Sequence, residues 1–290
     1  MYKIIERTKI WFSISIIIIL IGAFFMVTKG LNWGIDFKGG TVVQINMEKA
    51  FDKTAVDVIV KKHATDATSV TLNNTVLEIK STELTTEKTN ALVKELKEKY
   101  TLKADTLISQ RSIEPSLGKH TRNNAIMSVV LANILILIYI AWRFEFKFGI
   151  AAIISLLHDV LVTLAFYAIF SIPIDTAFIA AILTILGYSI NDTIVIFDRI
   201  RENQKFMRSS DVTELANASI TQTFRRSIFT VLTVVITLAA VYVFVEPIRN
   251  FSLPLLVGII SGCYSSIYIA TPTWVILKKR IKKKVVAKRI

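Results

Sequence analysis

The sequence predicts an α-helical polytopic membrane protein with six transmembrane helices and one α+β, ferredoxin-like extracytoplasmic domain between the first and second helices. Three observations predict it. Hydrophobic residues make up 53% of the 290 residues, and the mean hydropathy of +0.54 is too apolar for an ordinary soluble domain. The apolar residues come in blocks of roughly 20, the length that crosses about 30 Å of hydrocarbon. One long polar stretch, residues 29–121, interrupts the blocks after the first.

The apolar blocks are residues 10–27, 125–142, 149–170, 176–197, 227–245 and 251–277. The first follows Lys3, Arg7 and Lys9 and reads as an uncleaved anchor, because its apolar run exceeds a signal core and no small-x-small site precedes Lys29. The chain thereby divides into residues 1–28 (a cytoplasmic segment and the first span), 29–121 (the polar domain), 122–277 (five spans) and 278–290 (a basic tail).

The net charge of +13 is placed for topology rather than for nucleic acid. Basic residues cluster at Lys3/Arg7/Lys9, Arg143/Lys147, Arg199/Arg201/Lys205/Arg208, Arg225/Arg226 and in the tail from Lys278. All fall on one side if six spans alternate, while the opposite short loops carry only Asp175, Glu246 and Arg249. This asymmetry predicts cytoplasmic termini and an extracytoplasmic polar domain. The tail reads either as a topology signal or as a contact for anionic lipid or a ribosome.

Within the polar domain, residues 41–47 read as a strand and 54–63 as a helix capped by Thr54. Strands 69–72 and 75–79 flank Asn73-Asn74, a tight-turn pair. Residues 86–99 form an amphipathic helix with Leu92, Val93 and Leu96 on one face, and 106–113 alternate as a last strand. Strand-helix-strand-strand-helix-strand is the split pattern of ferredoxin-like domains. His63 reads as a solvent-facing helix residue. With no nucleophile–base pair and no Gly-rich phosphate loop, this domain reads as a binding or transmission module. Gly39 and Gly40, closing the run Gly34-Ile-Asp-Phe-Lys-Gly-Gly-Thr, suit a tight lead into the first strand.

Several other chemistries are unsupported. The single cysteine, Cys263, forms no intrachain disulfide and no zinc set. No Gly-x-x-x-x-Gly-Lys motif occurs. The residues indicate no cofactor and no metal.

The chemistry lies in polar residues inside the spans. In the fourth, Thr184, Tyr188, Asn191 and Asp192 share one helical face; in the fifth, Arg226, Thr230, Thr233 and Thr237 do. In the third, Ser155, His158 and Asp159 lie near the middle. Lipid cannot satisfy such groups, so they must face a bundle interior or a wet cavity. Spacing leaves two readings of Asp192 and Arg226 open: a proton switch, or a static bond between helices. His158 and Asp159 are candidates for proton movement, or for a pair made locally or with a partner subunit. A 4-residue stripe in the sixth span, Gly258, Gly262, Ser266 and Ala270, predicts close helix packing. Pro254 and Pro272 mark its boundaries or kinks. Two intramembrane aspartates also raise an intramembrane aspartyl protease, but Asp159 follows His158 and Asp192 follows Asn191, unlike the motifs of those enzymes.

These residues resemble the SecF family, the smaller membrane subunits of the bacterial SecDF protein-export complex in the RND superfamily. The resemblance is carried by Gly34 to Thr41 with Gly34, Asp36, Gly39 and Gly40, by Arg143-Phe-Glu, His158-Asp159-Val and Gly187 to Asn203, and by Thr223-Phe-Arg-Arg-Ser and Gly262-Cys-Tyr-Ser-Ser. It implies half of an RND-type bundle whose other half is SecD, with the SecYEG channel, YajC and a translocating preprotein as further partners. It also implies residence in the bacterial cytoplasmic membrane, and use of the proton gradient in export through Asp192 and Arg226. Arg225 departs from the pattern, where a small polar residue is usual, and places a second arginine beside Asp192.

Overall fold

The computed structural model describes residues 1–72, 74–103, 106–143, 145–207 and 211–287. Asn73 of the expected turn, Phe144, Arg208 and the last three residues of the tail lie outside them. The chain divides into two compact units: residues 33–127 with 173–176, and the remainder.

In the first of these, the sheet has strands β1 (Gly40–Asn46), β2 (Thr68–Leu72), β3 (Val76–Ser81) and β4 (Leu107–Ile113). Their order is β2-β3-β1-β4, and every pair is antiparallel. A short helix, α2 (Ile35–Lys38), precedes β1, while α3 (Lys53–His63) and α4 (Thr86–Tyr100) follow β1 and β3. Alternation in β1 and β3 turns Val43, Ile45, Leu77 and Ile79 inward, and the 3–4 spacing of α3 and α4 turns Val56, Ile59, Val60, Leu92, Val93 and Leu96 onto them. Burying each such side chain stabilises by about 1.5–3 kcal/mol.

Two expectations for this unit need correction. The α3 cap is Asp52, whose carboxylate accepts the Thr54 amide at 2.9 Å, because a residue two positions before the amide reaches it and Thr54 itself is already helical. His63 does not face solvent freely: its Nε2 lies 2.7 Å from Glu95 on α4, and Lys62 reaches the same carboxylate at 3.1 Å. The hydrogen bond to His63, then that to Lys62, holds the Glu95 carboxyl below its usual range.

The second unit holds the spans α1 (Thr8–Thr28), α5 (Pro115–Arg143) from Ser128 on, α6 (Phe146–Ile169), α7 (Thr176–Phe206) from Ala177 on, α8 (Val212–Phe244), α9 (Arg249–Ser265) and α10 (Thr271–Ala287). A π-helical turn, Ser266–Ala270, joins the last two into one crossing element. Six helical segments are long and apolar enough to span a membrane. Those of α6, α7 and α9–α10 are half or more buried within the chain, whereas α1, α5 and α8 turn most of their surface outward. Outward Ile, Leu and Phe side chains suit contact with lipid.

Backbone approach fixes the helix contacts. A Cβ on Gly22 of α1 would lie 2.1 Å from the Cβ and 2.5 Å from the Cα of Ala165 on α6. Gly22→Val is therefore expected to force these helices apart, at about 1–3 kcal/mol or more. A fall in thermal midpoint and folded yield in detergent checks this.

The stripe on the sixth crossing element packs as expected, and its neighbour is α7. Gly258 sits against Ile185, Gly262 against Ser189, and Ser266 Oγ is 2.7 Å from Thr193 Oγ, each step four residues on both helices. Pro254 lies inside α9, and Pro272 follows the π-helical turn. There the Thr271 hydroxyl donates to the Ser266 carbonyl at 3.1 Å.

The connection before the fifth span also differs from expectation. Residues 199–226 are not a loop carrying a separate interfacial helix at 211–219. Instead α7 runs to Phe206, and α8 starts at Val212, capped by Asp211. Val212, Leu215, Ala216 and Ile220 are buried, and Asn203 of α7 bonds Ser219 and Gln222 at 2.9 and 2.8 Å. Packing along this face holds the end of α7 against the start of α8. Hydrogen bonding to Thr213, with Lys279 next, brings the Asp211 carboxyl down to about 2, against a burial effect that raises it. A carboxyl lowered on folding stabilises fully above about pH 4 and loses that contribution as pH falls through its folded value. Asp211→Ala is expected to cost about 1 kcal/mol at pH 7, read as a lower thermal midpoint, and less at pH 2. The tail continues α10 as helix to Ala287.

Candidate functional site

Each intramembrane carboxylate has a distinct setting. Asp159 on α6 is fully buried. Its Oδ1 accepts from Ser261 at 2.7 Å, with His158 Nδ1 at 3.1 Å, and its Oδ2 accepts from Ser189 at 2.6 Å and Ser265 at 2.8 Å. Ser189 lies on α7; Ser261 and Ser265 are one turn apart on α9. Both carboxylate oxygens therefore have hydrogen-bond partners inside the bundle. His158 Nε2 is 3.0 Å from Ser15 of α1, so the pair ties four helices together. Ser155 joins through Ser265 at 2.9 Å.

Asp192, near the middle of α7, has a poorer shell. Its Oδ1 accepts from Ser227 of α8 at 2.6 Å. Its Oδ2 is buried, and among the described residues it has no hydrogen-bond partner. Beside it is a cavity of about 40 Å³ lined by Tyr188, Asn191, Arg226 and Thr230, among others. Arg226 thus shares the cavity and acts on Asp192 electrostatically, but no hydrogen bond between them closes. The static bond is not formed.

The two polar faces do face each other in part: the Tyr188 hydroxyl is 3.4 Å from the Thr230 carbonyl. Thr184, Thr233 and Thr237 are exposed and spend their hydroxyls on backbone carbonyls of their own helices. Asn191, Arg226 and Thr230 are exposed as well.

The motif Gly34 to Gly40 is a junction rather than a ligand loop. Asp36 accepts both the amide and the hydroxyl of Thr176, at 3.0 and 2.7 Å, capping the helix that starts there. Gly34 donates its amide to the Ile174 carbonyl at 2.7 Å. Gly39 and Gly40 have φ of 82° and 144°, and a Cβ on either would meet Pro115 or Ser81 backbone at 2.7 or 2.6 Å. Only glycine fits at these two positions.

The sequence pattern missed Ser15, Ser189, Ser227, Ser261 and Ser265. Ser189, Ser227 and Ser265 fall within runs that carry the family resemblance, and Ser261 and Ser265 are four residues apart, but nothing local ties any of them to a carboxylate. Ser189 and Ser227 look like ordinary small residues until helix rotation is known.

Residues 92–280 match the family described as protein export membrane protein SecD/SecF, C-terminal, and residues 24–50 match the SecD/SecF GG motif. The chain is 41% identical to the protein translocase subunit SecF of Sebaldella termitidis, over 97% of this chain and 93% of that one. It is 39% identical to the protein translocase subunit SecDF of Bacillus subtilis, over 96% of this chain but 38% of that longer one. The crystal structure of SecDF, a translocon-associated membrane protein from Thermus thermophilus, superposes with a TM-score of 0.82 at 33% identity, covering 96% of this chain and 39% of that one. Matched along nearly its whole length, the chain belongs to the SecD/SecF family of protein export membrane proteins.

Proposed function

We propose that this protein translocase subunit couples proton movement to preprotein export through Asp192 and Arg226. The observation that supports this most is the half-satisfied Asp192: one oxygen bonded to Ser227, the other buried beside an arginine that does not close on it. A carboxylate can gain and lose a proton, whereas arginine stays charged. Protonation therefore switches the attraction between α7 and α8 off, and release switches it on. At about 100 mV, moving one proton across is worth roughly 2.3 kcal/mol, a bias of about fiftyfold on a two-state element.

Asp159 and His158 take a different part in this reading. Four donors surround Asp159, so it anchors α6, α7 and α9 and fixes α7, on which Asp192 is carried three residues after Ser189. The two carboxylates use separate serines, opposite to a dyad that shares one proton, which argues against the protease.

The exposed polar groups Asn191, Arg226 and Thr230 require cover that lipid does not give. SecD as a second half-bundle supplies it in this reading, with SecYEG, YajC and the preprotein as further partners. The basic clusters support a topology with both termini in the cytoplasm and the sheet unit outside. Proteoliposomes holding the chain with SecD and SecYEG test the proposal: an imposed proton gradient is expected to raise the amount of protease-protected preprotein. No increase over vesicles lacking this chain would refute it.

A further inference from the structure

Ser227 makes the closest polar contact of Asp192, yet it lies one position past the arginine that the α8 stripe brings forward. Its hydroxyl is 2.6 Å from Oδ1, and the residue is 1% exposed, so solvent does not compete for the hydrogen. A hydroxyl carries a single hydrogen. Donated to Oδ1, it leaves Oδ2 as the oxygen with its lone pairs unclaimed, and Oδ2 is the buried, unpartnered one. The cavity of about 40 Å³ beside Asp192 exceeds the roughly 10–15 Å³ that a single water needs, and it is polar enough to hold one through Tyr188, Asn191 and Arg226.

We propose that Ser227 is a positioning residue that reserves Oδ2 of Asp192 as the atom that takes the proton, delivered through the small cavity shared with Arg226. The inference rests on reading Asp192 as the coupling carboxylate. In the step, a proton carried on water in the cavity passes to Oδ2; an O–H bond forms there and the carrier is left as water. Arg226 keeps its proton throughout, so the pair passes from no net charge to one positive charge. Release reverses the step. Protonation at Oδ1 would instead require the Ser227 hydroxyl to turn away from Oδ1, its one short partner among the described residues. The other groups facing Asp192 are Tyr188 on its own helix, Arg226 on α8 and Cys263 on α9, and only Asp192 among them changes charge in this cycle.

The test uses the full chain with SecD and SecYEG in proteoliposomes. Difference infrared spectra against pH follow a carboxyl C=O band assigned to Asp192 by its loss in Asp192→Asn, and gradient-dependent export is measured over the same pH range. Ser227→Ala removes one charge-assisted hydrogen bond from the ionised form. It is expected to move both midpoints about one pH unit toward higher pH, roughly tenfold in proton affinity. Ser227→Thr, which keeps the hydroxyl, is expected to return both to the wild-type position. Midpoints in Ser227→Ala equal to wild type, or a shift that Ser227→Thr leaves in place at native thermal stability, would overturn the assignment of Ser227 while leaving Asp192 as the coupling group. A wild-type protein with no titrating band lost in Asp192→Asn would overturn the coupling reading itself.

Discussion

Asp192→Asn is expected to abolish the gradient-dependent part of preprotein export while leaving folding and insertion intact. Asparagine has nearly the same shape, and its side-chain oxygen still accepts the Ser227 hydrogen that now reaches Oδ1. What it loses is charge. The variant resembles the protonated carboxyl at every pH, so attraction to Arg226 is permanently off and the gradient has no state left to select. At about 100 mV the wild type gains up to roughly fiftyfold in the favoured state, and the variant gains none. Export with and without an imposed gradient measures the difference. An ordinary stability defect would lower both values together.

Asp159→Leu is expected to act in the opposite way, on stability first. Three serine hydroxyls from α7 and α9 lose their common acceptor inside the bundle, and His158 loses its neighbour. Leaving a buried donor without an acceptor costs about 1–3 kcal/mol each. Ser265 also reaches the Gly262 carbonyl at 3.2 Å, which offsets part of the loss. Asp159→Asn keeps an oxygen acceptor and is expected to lie between wild type and leucine in thermal midpoint, with its gradient response retained.

The spans and the strands β1 and β3 are legible in the sequence because apolar blocks and alternation are local, whereas β4, expected to alternate, buries only its ends. Leu92, Val93 and Leu96 announce the buried face of α4 by spacing alone, and all three are in the core. The stripe from Gly258 to Ser266 likewise announces a close contact, although nothing local names α7 as its neighbour. Caps are read less well: Asp52 and Thr54 are both good capping residues two positions apart, and only backbone geometry selects Asp52.

The site itself is half legible. Asp192 stands out because charge is costly in hydrocarbon. Its contact does not, since neighbouring residues on a helix point about 100° apart and spacing fixes a face without fixing its rotation. Arg226 therefore looked like the direct partner where Ser227 is. The donors to Asp159 lie 30, 102 and 106 residues away, and no periodicity links them. Short polar residues scattered across three helices become a binding shell only when the helices pack. The continuous α8 follows the same rule: Asn203, Ser219 and Gln222 hold it against α7, and that contact is tertiary.

The most direct test of Asp192 as coupling group and Asp159 as anchor is preprotein export in proteoliposomes under an imposed proton gradient, with Asp192→Asn and Asp159→Asn side by side. The expected result is no gradient-dependent increment in Asp192→Asn and a retained increment in Asp159→Asn. An increment in Asp192→Asn equal to that of the wild type would contradict the account.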